Sequence, residues 1–174
     1  GGCTCNYLWN FGQIYEILQL LDPEAAKQHI IQFIRSGCLY NGYAFYPLNG
    51  NSFGTWYMVN QEKIIRHVYY YVKLTGDTGF LNEEVIEGET VLDMMIENAM
   101  HLDDTTQPIK LVDYGVDYGA SNSHLELRRE YRYNHVMPDM NGRRYNNYKR
   151  VAELCELMGE PRPYLMERAE ALKK

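Results

Sequence analysis

The feature that most constrains this chain is a repeated pattern of paired amphipathic helices. The first helix is marked by apolar residues spaced three or four positions apart, which is the period of one helix face: Leu8, Phe11, Tyr15 and Leu18. Asp22-Pro23-Glu24 then starts a second helix with an N-cap aspartate, a first-turn proline and an acid. The second helix carries its own apolar face before it ends near Gly37: Ala26, Ile30, Phe33 and Ile34. The segment therefore predicts an αα-hairpin.

The same pattern recurs twice more. A helix from Trp56 to Leu74 is predicted by apolar residues on one side: Ile64, Ile65, Val68 and Val72. It ends at Thr75-Gly76-Asp77, and a partner helix is predicted from about Glu89 to Leu102. The third pair begins near Asn141, turns at Gly159-Glu160-Pro161, and is marked by seven apolar or aromatic positions: Tyr145, Tyr148, Ala152, Cys155, Leu165, Ala169 and Leu172. The three hairpins span about residues 7–36, 56–102 and 141–174.

Helical hairpins of this kind cannot bury their apolar faces alone, so they must stack on one another. The stack is either an open solenoid or a closed ring. Solenoid repeats are joined by short turns, whereas two long loops, residues 37–55 and 103–138, fall between the hairpins here. Long connections are usually functional. We therefore expect an all-α fold: a single domain over residues 1–174 that forms about half of an (α/α)6 toroid and belongs to a longer chain.

The composition excludes several classes of function. A formal net charge of −6 and a pI near 5.4 argue against nucleic-acid binding. Charges and amides interrupt every apolar run, so we expect no membrane span. The four cysteines contain no Cys-x-x-Cys pair, and we expect neither a metal nor an organic cofactor.

Tyrosine and side-chain amides point to a polar ligand with apolar faces, such as a sugar. The chain has sixteen tyrosines and two tryptophans, and the tyrosine side chain combines an apolar ring with a polar tip. Segment 41–51 mixes rings and amides, with Tyr46 and Asn49 as candidate sugar contacts; the alternative is an ordinary turn with exposed tyrosines. Trp9 and Asn10, at a helix start, are further candidates; the alternative for Trp9 is a position in the core.

Segment 103–138 carries the candidate catalytic acids. Asp113 and Asp117 lie four residues apart among glycines and tyrosines, and Glu126 follows. Glycoside hydrolysis needs one carboxylic acid to protonate the leaving oxygen and a second group to activate water or attack the sugar. Acidic residues also keep surface loops soluble, which is the alternative explanation for each of them.

The order of several short motifs resembles that of the six-hairpin glycosidases, which include trehalases and processing α-glucosidases. Tyr7-Leu8-Trp9-Asn10 is similar to that clan's Tyr-x-Trp-Asp segment. Tyr69-Tyr70-Tyr71 followed by residues 75–81 resembles its tyrosine-rich helix that ends in Thr-Gly-Asp and Phe-Leu. Residues 114–118 stand where the clan carries Ser-Gly-x-Asp-Asn, and Pro138-Asp139-Met140-Asn141 is similar to its Pro-Val-Asp-Leu-Asn helix start.

The resemblance implies roles for individual residues. Asp117 matches the general acid, while Trp9 and Asn10 match positions near the glycone pocket. Asn10 replaces the clan's aspartate, and Tyr114 and Tyr118 replace its serine and asparagine. Asp113 and Glu126 therefore remain alternative acids. The expected substrate contacts are completed by three more residues: Trp56, Tyr114 and Asn141.

The resulting expectation is an inverting glycoside hydrolase acting on α-linked glucosides or related oligosaccharides. Its two carboxyl groups would lie roughly 6.5–9.5 Å apart to admit water. The catalytic base is expected beyond Lys174, so the remainder of the toroid or a second subunit is an expected partner. One alternative is a sugar epimerase or polysaccharide lyase that uses Arg132, Tyr133 and His135. Another is a non-catalytic helical-repeat scaffold.

Overall fold

The computed structural model describes residues 5–54, 56–103, 111–113 and 136–173, and within them the backbone but not the side chain of Trp9. The described chain is mostly helical, as the sequence predicts. Its α-helices are α1 (Leu8–Phe11), α2 (Tyr15–Leu21), α3 (Pro23–Arg35), α4 (Cys38–Asn41), α5 (Val59–Thr75), α6 (Val91–Met100), α7 (Pro138–Leu157) and α8 (Pro163–Ala171), with a 3-10 helix at Thr78–Asn82. Short strands are β1 (Asn6–Tyr7), β2 (Ala44–Phe45), β3 (Ser52–Phe53), β4 (Glu84–Ile86) and β5 (Glu89–Thr90).

The first hairpin forms from α2 and α3 with the start signal that the sequence predicts. Asp22 caps α3, because its Oδ1 accepts the backbone N–H of Ala25 at 3.0 Å, and Pro23 occupies the first helical position. The preceding helix is not continuous, however. It divides into α1 and α2 around Gly12, a poor helix former, and Ile14 has φ −126°, outside the helical region.

Helix α5 lies at the centre of the fold. It packs against α1, α2, α3, α4, α6 and α7, and the four apolar positions predicted for its inner face are all buried. The helix begins at Val59, three residues later than expected, and ends at Gly76, where φ is +74°. A left-handed residue after the last turn is a common helix stop, and glycine adopts it without strain.

Two helices of the second and third hairpins begin at residues other than those predicted. Helix α6 begins at Val91 rather than near Glu89, because Thr90 and Asp93 form a reciprocal capping box at its start. Helix α7 begins at Pro138 rather than near Asn141, because proline is favoured in the first turn. Helices α7 and α8 pack together after a turn in which Gly159 has φ +72°.

The sequence predicts a long loop over residues 37–55, and the structure shows short elements within it. It contains α4, β2 and β3, and β2 pairs with β1 and β3 in a three-stranded antiparallel sheet of order β1-β2-β3. The register aligns Tyr7 with Ala44 and Ala44 with Phe53. Strands this short have no visible two-residue period of their own, so neighbouring strands are needed to define them.

Two apolar clusters form the core. The larger joins α3, α5, α6, α7 and α8 with the inner face of the sheet, where Phe45 packs edge-on against Phe33 at a centroid distance of 4.9 Å. The smaller cluster lies at the N-terminal ends of α5 and α7 and consists of six buried residues: Tyr57, Met58, Val59, Val112, Met137 and Met140. Among the described helices, none is long and apolar enough to span a bilayer.

Candidate functional site

A polar cleft opens next to the smaller apolar cluster, where the first turns of α5, the C-terminal half of α6 and the first half of α7 meet. Its cavity volume is about 10 Å³, which is room for about one water molecule. Two methionines form its apolar wall, and the other lining residues are polar or charged: Met58, Gln61, Glu62, Asn98, Met140, Arg143, Arg144 and Asn147. The cleft thus combines amides, a carboxylate and guanidinium groups beside an apolar surface.

Three buried amides surround this cleft, one from each helix. Gln61, Asn98 and Asn147 are 5%, 1% and 6% exposed. Each keeps one buried polar atom without a hydrogen-bond partner among the described residues, namely Gln61 Nε2, Asn98 Oδ1 and Asn147 Oδ1. The Asn98 side chain is oriented by its other end, because Nδ2 donates to the Gln61 carbonyl at 3.0 Å.

An unsatisfied buried amide atom costs about 1–3 kcal/mol, so such atoms are rare unless water or a ligand satisfies them. Three of them around one cleft supply a donor and two acceptors for a small polar molecule. Sequence reasoning missed these residues although a signal was present. Each amide interrupts an apolar helix stripe: Gln61 precedes Ile64 and Ile65 by three and four positions, and Asn98 follows Met94 and Met95 in the same way.

The Glu62 carboxylate lies at the centre of a cluster of charged side chains at the site. Its side chain is 6% exposed and is contacted by three cations: Lys63 at 3.2 Å, Arg143 at 3.3 Å and Arg150 at 3.6 Å. Burying a carboxylate is costly unless it is paired, and these contacts provide the pairing. Arg143 Nη1 donates to Glu62 Oε2 across the interface between α7 and α5, which holds both groups at the cleft wall.

A second ion network supports the cleft from α7. Arg144, which is 4% exposed, is paired with Asp103, and its Nε donates to the Tyr148 hydroxyl at 3.0 Å. Arg168 of α8 also pairs with Asp103. Burial raises the pKa of Tyr148 even though the charge of Arg144 acts in the opposite direction, so this phenol remains protonated at neutral pH. The network fixes α7 against residues that follow α6.

Two of the substrate contacts predicted from the sequence, Trp56 and Asn141, lie beside the smaller apolar cluster. Trp56 is half-buried against the smaller cluster, and its Nε1 donates to the Leu39 carbonyl at 3.0 Å. Asn141 is buried and joins backbone segments: its Oδ1 accepts from the Val112 N–H at 2.9 Å, and its Nδ2 donates to the Met137 carbonyl at 3.0 Å. Both residues therefore border the cleft's apolar wall, and hydrogen bonds to backbone account for their polar groups.

The remaining predicted contacts lie on the sheet side or outside the described residues. Asn10 is exposed on α1, and Asn49 is exposed in the turn after β2, where its Oδ1 accepts from the Asn51 N–H at 3.0 Å. Tyr46 is half-buried beside Phe53. Asp113 is half-buried in an antiparallel bridge with Val136. Four predicted site residues fall outside the described part: the side chain of Trp9, and all of Tyr114, Asp117 and Glu126.

No group of three or more His, Cys, Asp or Glu side chains in the described ranges is arranged to hold a metal ion. Cys38 and Cys155 are buried free thiols, and burial raises the pKa of both. We found no protein-family model that matches this chain and no curated protein that is similar to it.

Proposed function

We propose that this chain is a carbohydrate-processing domain of the glycoside hydrolase kind, and that a sugar hydroxyl enters the cleft between α5, α6 and α7. The observation that carries the proposal is the set of three buried amides, each with an unpartnered polar atom, around one cleft. Sugar hydroxyls both donate and accept hydrogen bonds, so they match the free amide N–H of Gln61 and the free oxygens of Asn98 and Asn147.

The chemistry that we propose is protonation of a glycosidic oxygen by Asp117, with Asp113 or Glu126 as alternative acids. Hydrolysis also needs a second carboxyl group, which in an inverting enzyme activates water. Glu62 and Arg143 in the cleft would orient the sugar, because a paired carboxylate and guanidinium offer acceptors and donors in fixed positions. We further propose that the stacked hairpins are part of an (α/α)6 toroid.

A protein-binding helical scaffold is the second candidate function, because one side of α2 is apolar and exposed. Ile17, Leu20 and Leu21 are 61%, 65% and 80% exposed, and Ile14 before the helix is 53% exposed. Contiguous apolar surface of this kind marks an interaction site more often than isolated exposed residues do. The remainder of a toroid or a second subunit is the partner that we propose for it.

The decisive experiment compares the wild-type full-length protein with Asn147→Leu on a panel of aryl α-glycosides and α-linked oligosaccharides. Asn147→Leu removes the unpartnered oxygen while it preserves side-chain size. We expect at least tenfold lower kcat/KM, because a sugar hydroxyl loses its buried partner. We also expect an equal or higher free energy of unfolding, because an unsatisfied buried amide disappears. Asp117→Asn should abolish hydrolysis while binding persists.

The matched control is Asn146→Leu, because Asn146 is the exposed neighbour on the same helix. It should leave both hydrolysis and stability within about twofold and about 0.5 kcal/mol of wild type. A wild-type protein that neither binds nor cleaves any sugar on the panel would reject the proposal and favour the scaffold. Full activity in Asp117→Asn would transfer the acid role to Asp113 or Glu126.

A further inference from the structure

The chain contains three Asn-Gly dipeptides, and the fold places them in three different surroundings. They are Asn41-Gly42, Asn49-Gly50 and Asn141-Gly142. In such a pair the backbone nitrogen of the glycine can attack the carbonyl carbon of the asparagine side chain, because glycine has no Cβ to obstruct the approach. An exposed and mobile pair therefore loses ammonia without an enzyme, whereas a rigid environment keeps the two atoms apart.

Asn141-Gly142 is protected by its position within α7. Asn141 is 3% exposed, its Oδ1 accepts the Val112 N–H at 2.9 Å, and its Nδ2 donates to the Val112 and Met137 carbonyls at 3.2 Å and 3.0 Å. These contacts fix both ends of the side-chain amide, and the helix directs the Gly142 N–H along its axis. Reaction at this pair requires opening of a core helix, which is rare.

At Asn41-Gly42 the asparagine is exposed, but the glycine is held in place. Gly42 is buried, and its carbonyl accepts from Asn60 Nδ2 at 3.3 Å. A Cβ at Gly42 would lie 2.9 Å from the Phe53 carbonyl oxygen, so the backbone here lies directly against β3. The Gly42 nitrogen therefore cannot approach the Asn41 side chain unless the contact with β3 is disturbed.

Asn49-Gly50 lies in the exposed turn between β2 and β3. Asn49 is exposed, and Leu48 before it is 101% exposed. A Cβ at Gly50 would meet only the end of the Gln32 side chain, 2.7 Å from Nε2, so no backbone encloses this glycine. The Gly50 N–H donates to the Tyr46 carbonyl at 2.8 Å. This hydrogen bond opposes the attack, but an exposed turn opens at little cost in free energy.

The Asn49 side chain is also oriented for the reaction. Its Oδ1 accepts the Asn51 N–H at 3.0 Å, which turns the side chain back over the following residues. A donor on this oxygen polarises the side-chain carbonyl and stabilises the negative charge that the oxygen gains when Cγ is attacked. Of the three pairs, this one combines an accessible amide, an activating donor and a glycine that no backbone encloses.

We infer that Asn49 is a site of spontaneous deamidation and that it reacts in preference to Asn41 and Asn141. The Gly50 nitrogen loses its proton to hydroxide and forms a bond to Asn49 Cγ. The bond between Cγ and Nδ2 breaks, and Nδ2 takes a proton from water and leaves as ammonia. Water then opens the cyclic imide at either of its carbonyls, which gives aspartate or isoaspartate. The inference is independent of the proposed function.

The product would change the charge and the backbone of this turn. The sequence has no Asp, Glu, Lys, Arg or His in residues 36–61, so the new carboxylate would be the first such charge in that segment. Isoaspartate also adds a methylene to the backbone. The turn is closed by the Tyr46 N–H, which donates to the Asn51 carbonyl at 3.0 Å, next to the pair of Phe45 and Ser52. Isoaspartate should therefore loosen this end of the sheet.

The test is incubation of the full-length protein at pH 6 and pH 8, followed by peptide mapping with mass spectrometry. Deamidation adds about 1 Da, or about 3 Da in water enriched in oxygen-18. We expect Asn49 to react at least about tenfold faster than Asn41 and about a hundredfold faster than Asn141. The rate should rise from pH 6 to pH 8, because the attacking nitrogen must lose its proton. Isoaspartyl methyltransferase should label the product.

Asn49→Gln is the matched control, because its longer side chain must form a larger ring, which forms more slowly. It should abolish the label at this position and leave Asn41 and Asn141 unchanged. A synthetic peptide of residues 46–53 gives the rate without the fold, and Asn49 in the protein should react within about tenfold of it. A rate at Asn41 equal to that at Asn49, or protection of Asn49 to the level of Asn141, would overturn the inference.

Discussion

Asp77 shows how one residue of a short motif organises its neighbourhood. Its Oδ1 accepts the Phe80 N–H at 3.1 Å and caps the 3-10 helix, while its Oδ2 accepts from the Tyr71 hydroxyl at 2.9 Å and from Lys27 Nζ at 3.3 Å. Burial opposes ionisation of Asp77, but the contacts with Tyr71 and Lys27 prevail and lower its pKa. The Thr-Gly-Asp motif thus has a structural role that is independent of any substrate.

Asp77→Ala should lower the free energy of unfolding by about 2 kcal/mol, because a helix cap and two side-chain hydrogen bonds are lost together. Urea unfolding followed by circular dichroism measures the change. Glu87→Ala, in the exposed turn between β4 and β5, is the control and should change stability by less than about 0.5 kcal/mol. Equal effects in both variants would show that the Asp77 contacts contribute nothing.

The three buried amides of the cleft show that the helix period predicts which residues are buried but not which of them form one site. The helix periods predicted the buried apolar residues of α3 and α5, because burial of an apolar side chain depends mainly on its place in the period. Gln61, Asn98 and Asn147 lie among the buried positions of α5, α6 and α7, and the sequence contains their positions. That they surround one cleft could not be predicted, because it depends on how three helices are packed.

At the scale of elements, the three-stranded sheet depends on a close contact between Gly54 and Tyr43, which lie next to its strands. Gly54 has φ +81°, and a Cβ added there would overlap the ring of Tyr43. The absence of a side chain at Gly54 therefore allows the Tyr43 ring to contact Tyr7 and Phe53. Glycine is needed here for two separate reasons, backbone conformation and space.

Gly54→Ala should destabilise the protein more than Gly88→Ala by about 2 kcal/mol or more. Gly88 has nearly the same φ, +80°, but an added Cβ would have no neighbour within 4 Å. In both variants a left-handed alanine costs about 1 kcal/mol or more. The difference between their free energies of unfolding therefore isolates the clash with Tyr43. Thermal and urea unfolding of the two variants measure it. Equal destabilisation would show that Tyr43 moves aside without cost.

The main helices could be predicted from the sequence, whereas the strands of the three-stranded sheet could not. Helices α3 and α5 carry several turns of periodic apolar residues and have identifiable starts or stops at Asp22 and Gly76. Strands β1, β2 and β3 have two residues each, too few to establish alternation. Backbone pairing between β1 and β2, about forty positions apart in sequence, creates this sheet, and such pairing is a tertiary event.

At the scale of the whole molecule, the aromatic contacts of the first hairpin include two histidines, the buried His67 and the half-buried His29. His67 of α5 stacks on Tyr15 of α2 at a centroid distance of 4.6 Å, and His29 of α3 lies edge-on to Phe33 at 4.9 Å. Burial, reinforced by the positive charges of His29, Lys63 and Arg66, lowers the pKa of His67 to about 3. Burial alone lowers the pKa of His29 to about 4.

This arrangement makes the stability of the fold dependent on pH. In the unfolded chain both histidines have a pKa near 6.5, so below that pH the unfolded state binds more protons than the folded state. The free energy of unfolding is therefore highest above pH 6.5 and falls as the pH decreases toward the folded-state pKa values. We expect a loss of about 2 kcal/mol per histidine between pH 7 and pH 5.

Urea unfolding of the wild type and His67→Phe at pH 7, 6 and 5 tests this expectation. Phenylalanine keeps a ring beside Tyr15 but does not titrate, so the decrease between pH 7 and pH 5 should be about half as large in the variant. Comparing each protein with itself removes any constant cost of the larger ring. The same decrease in both proteins would mean that other groups cause the acid sensitivity.

The sequence by itself determined the helical character of this protein, the caps and stops of its main helices, and most of its apolar core. These properties depend on residues within a few turns of each other, and local backbone preferences and side-chain period specify them. Only the tertiary structure decided the cleft, the charge cluster around Glu62 and the ring contacts of the three-stranded sheet. Their members lie tens of residues apart, and long-range packing of helices and pairing of strands bring them together.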